Sequence, residues 1–223
     1  MRFIKAILFA SIVLITCTQS FAYNPREKMW RAEIDKFIAQ DSIFKPASGQ
    51  ILFVGSSSIR MWHELASYFP DFDIIQRGVG GSHLEDIIYF AEQIVFAYEP
   101  RQIVLYEGDN DLKDGFTPES YLDEVRTFVR LVQIKQPKTP IVILSIKPSP
   151  QRNYLLSVYR TANELLRLYA EVEPLVTFVD ITPTVIDSKG NYTESAFLSD
   201  ELHICRATYQ NWGNLIRPYL LKH

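Results

Sequence analysis

The chain has 223 residues, of which 23 are Lys or Arg and 26 Asp or Glu, for a formal charge of −3, and 47% of its side chains are hydrophobic. With no basic run along it, that balance excludes a nucleic-acid partner held through phosphate contacts. The length and hydrophobic content suit one packed core and are too small for two large domains.

Met1, Arg2 and Lys5 frame an apolar run of 10 residues, Ala6 to Ile15, after which Thr16 to Ser20 lead into Phe21-Ala22. A basic start, a short apolar stretch and a small-x-Ala ending make residues 1–22 an expected signal peptide, too short for a membrane span of about 20 residues. Cleavage after Ala22 leaves residues 23–223 as one domain, secreted or periplasmic, with no stable membrane insertion. Leu14-Ile15-Thr16-Cys17 loosely resembles a bacterial lipobox, which offers a second reading with an anchor on Cys17; Thr before the Cys is unusual there. Cys205 is then the one cysteine left, so no internal disulfide is expected although the compartment permits one.

A helical stripe of Trp30, Ile34, Phe37 and Ile38 comes first. Short Val- and Ile-rich runs then recur at Ile51–Gly55, Asp73–Arg77, Gln102–Glu107, Ile141–Ile146 and Val176–Ile181, bounded by turn residues and too short for helices. Between them lie helical stripes: Leu84, Ile87, Ile88, Ala91, Ile94 and Val95 after the second run, then a helix capped by Thr117, opened by Pro118 and closed near Pro137. Leu155, Val158, Ala162, Leu165 and Tyr169 mark the next, and Tyr209, Trp212, Leu215, Ile216 and Tyr219 the last. Five strands alternating with helices predict an α/β fold, a three-layer α/β/α doubly wound (flavodoxin-like) five-stranded parallel sheet with right-handed crossovers. Ligands of such sheets bind at the carboxyl ends of the strands, where the strand order reverses.

Four of those ends carry chemistry-bearing residues. The first strand runs into Gly55-Ser56-Ser57-Ser58, a hydroxyl-rich turn entering a helix; an isolated serine there is more often only a cap. The second runs into Gly78-Val79-Gly80-Gly81-Ser82-His83, where Ser82 and Glu85 have the spacing of a capping box and Gly81 can bring its N–H close to a ligand. The third is followed by Glu107-Gly108-Asp109-Asn110-Asp111. Its acids suggest a cation site but lack the spacing of a known metal loop, and the Asn110 amide suits developing negative charge better. Near the C-terminus Asp200 precedes His203 by three residues, a spacing from which a carboxylate can hold one ring nitrogen and leave the other facing a substrate.

Together these blocks resemble the SGNH hydrolases, the GDSL-like lipases and acylhydrolases, over nearly all of residues 23–223. The resemblance aligns the family's Gly-Asp-Ser with Gly55-Ser56-Ser57, its oxyanion glycine with Gly81, its Gly-x-Asn-Asp with Gly108–Asp111, and its Asp-x-x-His with Asp200 and His203. It implies a catalytic set of Ser57 as nucleophile, His203 as base and Asp200 orienting it. The implied oxyanion hole is made by the Ser57 and Gly81 N–H groups and the Asn110 amide, with no metal or cofactor. Ser56 stands where the family has aspartate. Tyr106–Asp111 and Ser145–Pro150 also resemble a bacterial subgroup of the family.

The implied function is ester hydrolysis through an acyl-Ser57 intermediate, on small, soluble or carbohydrate-borne acyl esters given the export signal and the lack of a long apolar lid. Ile59 stands where a Gly-x-Ser-x-Gly elbow needs its second glycine, which disfavours an α/β-hydrolase. A non-catalytic flavodoxin-like protein that binds phosphate, flavin or acylated sugar is the rival of another class, and it leaves Asp200 and His203 unexplained. Lys147, Arg152 and Arg60 are candidates to meet an anionic substrate, although basic residues near strand ends are more often paired or solvated.

Overall fold

The computed structural model describes residues 26–222, so the expected signal peptide and Cys17 lie outside the described residues. Five parallel strands, β1 (Ile51–Gly55), β2 (Ile74–Gly78), β3 (Gln102–Tyr106), β4 (Ile141–Leu144) and β5 (Val176–Val179), pair in the order β2-β1-β3-β4-β5. The apolar runs therefore became parallel strands as expected, β1, β3 and β4 buried throughout and the edge strands β2 and β5 only in part. β4 and β5 stop two residues before their apolar runs do, because Ser145 takes over the ladder: its Oγ accepts from the Ile181 N–H at 2.9 Å and donates to Asp180 Oδ1 at 3.0 Å.

The two-residue strand period sorts the core into two layers. Leu52, Val54, Ile103, Leu105, Ile141 and Ile143 face one side and pack with α1 (Glu27–Ile43), α3 (Leu84–Tyr89), α4 (Ala91–Ile94), α6 (Pro118–Lys135) and α7 (Leu156–Val172). Ile51, Phe53, Val104, Tyr106, Val142 and Leu144 face the other, against the short α2 (Ser57–Arg60), the segment after it and α8 (Arg206–Ile216). The helix expected after β2 is two helices, since Phe90 leaves helical ψ at 9° between α3 and α4. Thr117 caps α6 as read, its Oγ1 accepting from the Ser120 N–H at 3.1 Å with Pro118 in the first turn. On α8, Tyr209, Trp212 and Ile216 are buried while Leu215 lies exposed, as does Tyr219, counted in the same stripe but falling in a 3-10 turn beyond the end of the helix.

The α8 face is aromatic. Trp62 stacks on Tyr209 with centroids 4.9 Å apart and meets Phe53, Tyr68, Phe69 and Trp212 edge-on or tilted. The Tyr209 hydroxyl donates to the Ser58 carbonyl at 2.8 Å, fastening α8 to the turn after β1. Burial of rings this large supplies much of the layer's stability, on the order of 2–3 kcal/mol for each side chain.

The chain leaves β1 under tight constraint. Ser56 N–H donates to the Tyr106 carbonyl at 3.1 Å, and Val79 N–H donates to the Gly55 carbonyl at 2.7 Å. Gly55 has φ +145°, and a Cβ there would lie 1.9 Å from the Tyr106 carbonyl oxygen, a backbone atom that cannot swing away. Gly55→Ala is therefore expected to cost about 3 kcal/mol or more in urea unfolding. A loss near the ordinary 1 kcal/mol of a Gly-to-Ala change at positive φ would show that this turn relaxes easily.

Candidate active site

At the carboxyl edge of β1, three consecutive serines have different fates. Ser56 and Ser58 are buried beneath the turn, and only Ser57, the first residue of α2, is half-exposed. Its Oγ lies 3.0 Å from His203 Nε2, across 146 residues of sequence.

His203 is held by a closed loop rather than by a helix. Leu198 N–H donates to the His203 carbonyl at 2.7 Å, Phe197 and Ile204 form an antiparallel bridge, and Glu201 takes a left-handed φ of +54° to turn the chain. One oxygen of Asp200 caps this turn, accepting from the Leu202 and His203 N–H groups at 3.0 and 2.9 Å. The other meets His203 Nδ1 at 2.6 Å. Partial burial pushes the Asp200 pKa up, but the hydrogen bonds from the His203 ring and the two N–H groups outweigh it and hold it at about 2. An ionised carboxylate can only accept, so Nδ1 carries a proton, and whenever the ring holds no second one Nε2 is an acceptor for the Ser57 hydroxyl.

The expected oxyanion donors lie on the loops that leave β1 and its two neighbours, β2 and β3. Gly81 adopts φ +81°, and its carbonyl accepts from Arg26 at 3.2 Å while Trp30 of α1 covers the position where a Cβ would stand. Among the described residues no backbone carbonyl takes the Ser57 or the Gly81 N–H. Asn110, in α5 (Asp109–Lys113), is nearly buried, and its Nδ2 donates one hydrogen to the Ser82 carbonyl at 3.1 Å, which leaves the second. His83, the other histidine of these loops, is turned away: Nε2 contacts Asp114 at 2.9 Å and Nδ1 contacts the Arg26 guanidinium.

One sequence reading needs correction, and for the basic residues the paired alternative holds. Ser82 and Glu85 do not form the capping box: the cap of α3 is His83, whose N–H donates to Asp86 at 2.9 Å. Ser82 is instead turned inward, its Oγ lying 2.5 Å from Glu107 Oε1 and 2.9 Å from the Val79 carbonyl, the two acceptors between which its one hydroxyl hydrogen is shared. Lys147 does not reach substrate, being buried with Nζ donating to the Leu202 carbonyl at 2.9 Å and lying 3.7 Å from Asp109. Arg60 pairs with Glu33 at 3.8 Å.

The acidic loop after β3 is spent on internal contacts. Asp109 lies 3.7 Å from both Lys147 and Arg152, and Asp111 accepts from the Leu84 N–H at 2.8 Å. Among the described residues no group of three or more His, Cys, Asp or Glu side chains is placed to hold a metal ion. Burial pushes the Glu107 and Asp111 carboxyls up, Asp111 to about 6 despite the Leu84 N–H and nearby His83, which pull it down. The ion pairs of Asp109 with Lys147 and Arg152 escaped the sequence reading, which flagged the two cations and the Ser145–Pro150 stretch without joining them to this loop.

Residues 41–210 match the model of the GDSL-like Lipase/Acylhydrolase family. The subunit alpha1 of platelet-activating factor acetylhydrolase IB from Bos taurus and from Homo sapiens is 25% identical over 198 residues, covering 86% of this chain and 83% of the relative. Among solved structures, a Streptococcus pneumonia protein superposes with a TM-score of 0.74 at 21% identity, over 87% of this chain and 96% of its own. An acetyl-xylooligosaccharide esterase from Geobacillus does so with 0.63 at 16%, over 79% and 96%.

Asp111 also gives this site a pH signature. Its folded pKa is raised above 3.8, so its stabilising contribution is full below that value and is lost as pH rises through about 6. Asp111→Asn keeps an acceptor for the Leu84 N–H without the buried charge. The variant should therefore gain on the parent between pH 4 and pH 7, by about 3 kcal/mol at most. Urea midpoints at the two pH values check this, and a gap that stays constant would place the raised carboxyl elsewhere.

Proposed function

The chain belongs to the GDSL-like lipase/acylhydrolase family of esterases, and on that premise we propose that it is a serine ester hydrolase working through an acyl-Ser57 intermediate. The observation that carries this reading is the run of contacts from Asp200 Oδ2 to His203 Nδ1 at 2.6 Å and from His203 Nε2 to Ser57 Oγ at 3.0 Å. His203 Nε2 takes the Ser57 proton as Oγ attacks the ester carbonyl, then gives that proton to the departing alcohol. Asp200, ionised throughout the working range, keeps the ring in its Nδ1–H form and stabilises the imidazolium. A water then enters, loses a proton to the same nitrogen as it attacks the acyl carbonyl, and the acid departs as that proton returns to Ser57 Oγ. The tetrahedral oxyanion of each half-reaction is held by the Ser57 and Gly81 N–H groups and the second Asn110 N–H.

The substrates proposed are small, soluble or carbohydrate-borne acyl esters. Names among the similar proteins support a short acyl group, since an acetylhydrolase and an acetyl-xylooligosaccharide esterase share the acetyl and differ in the alcohol. A cleft of about 280 Å³ beside the serine turn, lined by Met61, Tyr68, Leu198, Ile204 and Tyr209 together with His63, Glu64 and Arg206, suits a small substrate group. The basic and apolar start of the sequence supports a substrate met in the periplasm or outside the cell.

Nitrophenyl esters of increasing chain length, with acetylated sugars beside them, test the reading. Ser57→Ala should abolish nearly all turnover with the fold retained, while Ser56→Ala and Ser58→Ala stay far more active. Asn110→Ala should lower kcat roughly a hundred- to a thousandfold with little change in KM, since its donor acts mainly in the transition state. Asn110→Asp should be at least as slow. Turnover that survives in Ser57→Ala would overturn the proposed nucleophile.

A further inference from the structure

A side amide is a useful oxyanion donor only if it points the right way, and an asparagine free to rotate would present oxygen as readily as N–H₂. The Asn110 amide is pinned at both ends. Its Nδ2 donates to the Ser82 carbonyl at 3.1 Å, and its Oδ1 accepts from Arg152 Nη2 at 3.1 Å. Turning the amide over would set N–H₂ against a guanidinium and oxygen against a carbonyl, two repulsive pairs in place of two hydrogen bonds. Because the group is planar, fixing Oδ1 and one hydrogen also fixes the direction of the second hydrogen.

Arg152 is itself firmly placed. Its Nη1 donates to the Asp109 carbonyl at 2.8 Å and lies 3.7 Å from the Asp109 carboxylate, and its side chain is about nine-tenths buried. Its backbone sits in the segment after β4, where Arg152 N–H donates to the Ser149 carbonyl and Gln151 N–H to the Glu201 carbonyl in the loop of Asp200. A cation against Oδ1 also draws electron density from the amide and makes the remaining N–H a stronger donor.

We propose that Arg152 is a positioning residue for ester hydrolysis, holding the Asn110 amide in the one orientation that presents N–H to the oxyanion. The assignment rests on the reading of Ser57 as nucleophile and Asn110 as donor. It gives the Ser145-to-Arg152 stretch a role in the chemistry without contact to substrate. The guanidinium fork matters here, since one nitrogen serves the Asp109 carbonyl and the other the amide, which a lysine ammonium on its own stem cannot do in the same geometry.

The test is a double-variant cycle on nitrophenyl acetate with Arg152→Ala, Asn110→Ala and both together, each with its thermal unfolding midpoint. Arg152→Ala should lower kcat roughly ten- to a hundredfold, the effect of losing one charge-assisted hydrogen bond, with KM within about twofold. The double variant should match Asn110→Ala within about twofold, because Arg152 acts only through that amide. If Arg152 merely braced the fold, it would multiply the loss by the same factor in both backgrounds, and that result overturns the proposal, as does an Arg152→Ala enzyme with unchanged kcat. Should Arg152→Ala melt below the assay temperature, Arg152→Lys retains a charge opposite Asp109 and carries the same cycle: slower than the parent in the native background, and without further effect when Asn110 is Ala. An Asn110→Ala enzyme as fast as the parent would instead defeat the donor reading, an outcome distinct from a failure confined to Arg152.

Discussion

Gly55 lies in register between Gly78 of β2 and Tyr106 of β3, and the rest of the site depends on that row. Three parallel strands end level with one another, so the three loops that follow open at one height above the sheet. Ser57, Gly81 and Asn110 come from these loops, far apart in sequence and brought together by strand pairing alone. The constraint is steric: the β1 chain passes so close to the Tyr106 carbonyl that no Cβ fits at Gly55. This is also where the strand order reverses, the place at which a doubly wound sheet leaves a crevice between loops that turn to opposite faces.

The fourth loop has no strand neighbour in that row, and packing brings it in. Trp62 and Tyr209 stack across the α8 layer, and the Tyr209 hydroxyl reaches the Ser58 carbonyl one residue past the serine. The helix that begins just after His203 is thereby tied to the turn that carries Ser57. The pair itself sits at the edge, half-exposed to solvent.

Beneath the crevice lies a cost that the aromatic and aliphatic layers must offset. Glu107, Asp109 and Asp111 are buried within five residues, and Lys147 is buried with them. Taking such charges out of water is expensive unless they are paired and hydrogen-bonded. The molecule answers each differently. Asp109 has two cations; Asp111 has a backbone N–H, and Glu107 a serine hydroxyl with its pKa pushed up by burial. Burial pushes the Lys147 pKa down by more than the neighbouring Asp109 raises it. The return on this arrangement is a rigid connection, since Lys147 reaches the Leu202 carbonyl beside His203 while Arg152 reaches the amide of Asn110.

What the sequence by itself determined was local and periodic. Five apolar runs and the stripes between them sufficed for a parallel α/β/α sheet, because alternation and helical spacing follow from backbone geometry and need no knowledge of neighbours. The Asp200 and His203 spacing was legible for the same reason, as both sit in one short turn. The family resemblance singled out Ser57 among three adjacent serines, but only the tertiary structure supplies the physical reason, since Ser56 and Ser58 are buried where α8 and β3 meet the turn. The tertiary structure also decided that Ser82 points inward to Glu107 rather than capping α3, and that Lys147 and Arg152 serve the acidic loop rather than the solvent. Those outcomes rest on contacts spanning 25 to 55 residues, and side-chain pairing at that range has no periodic trace in a sequence.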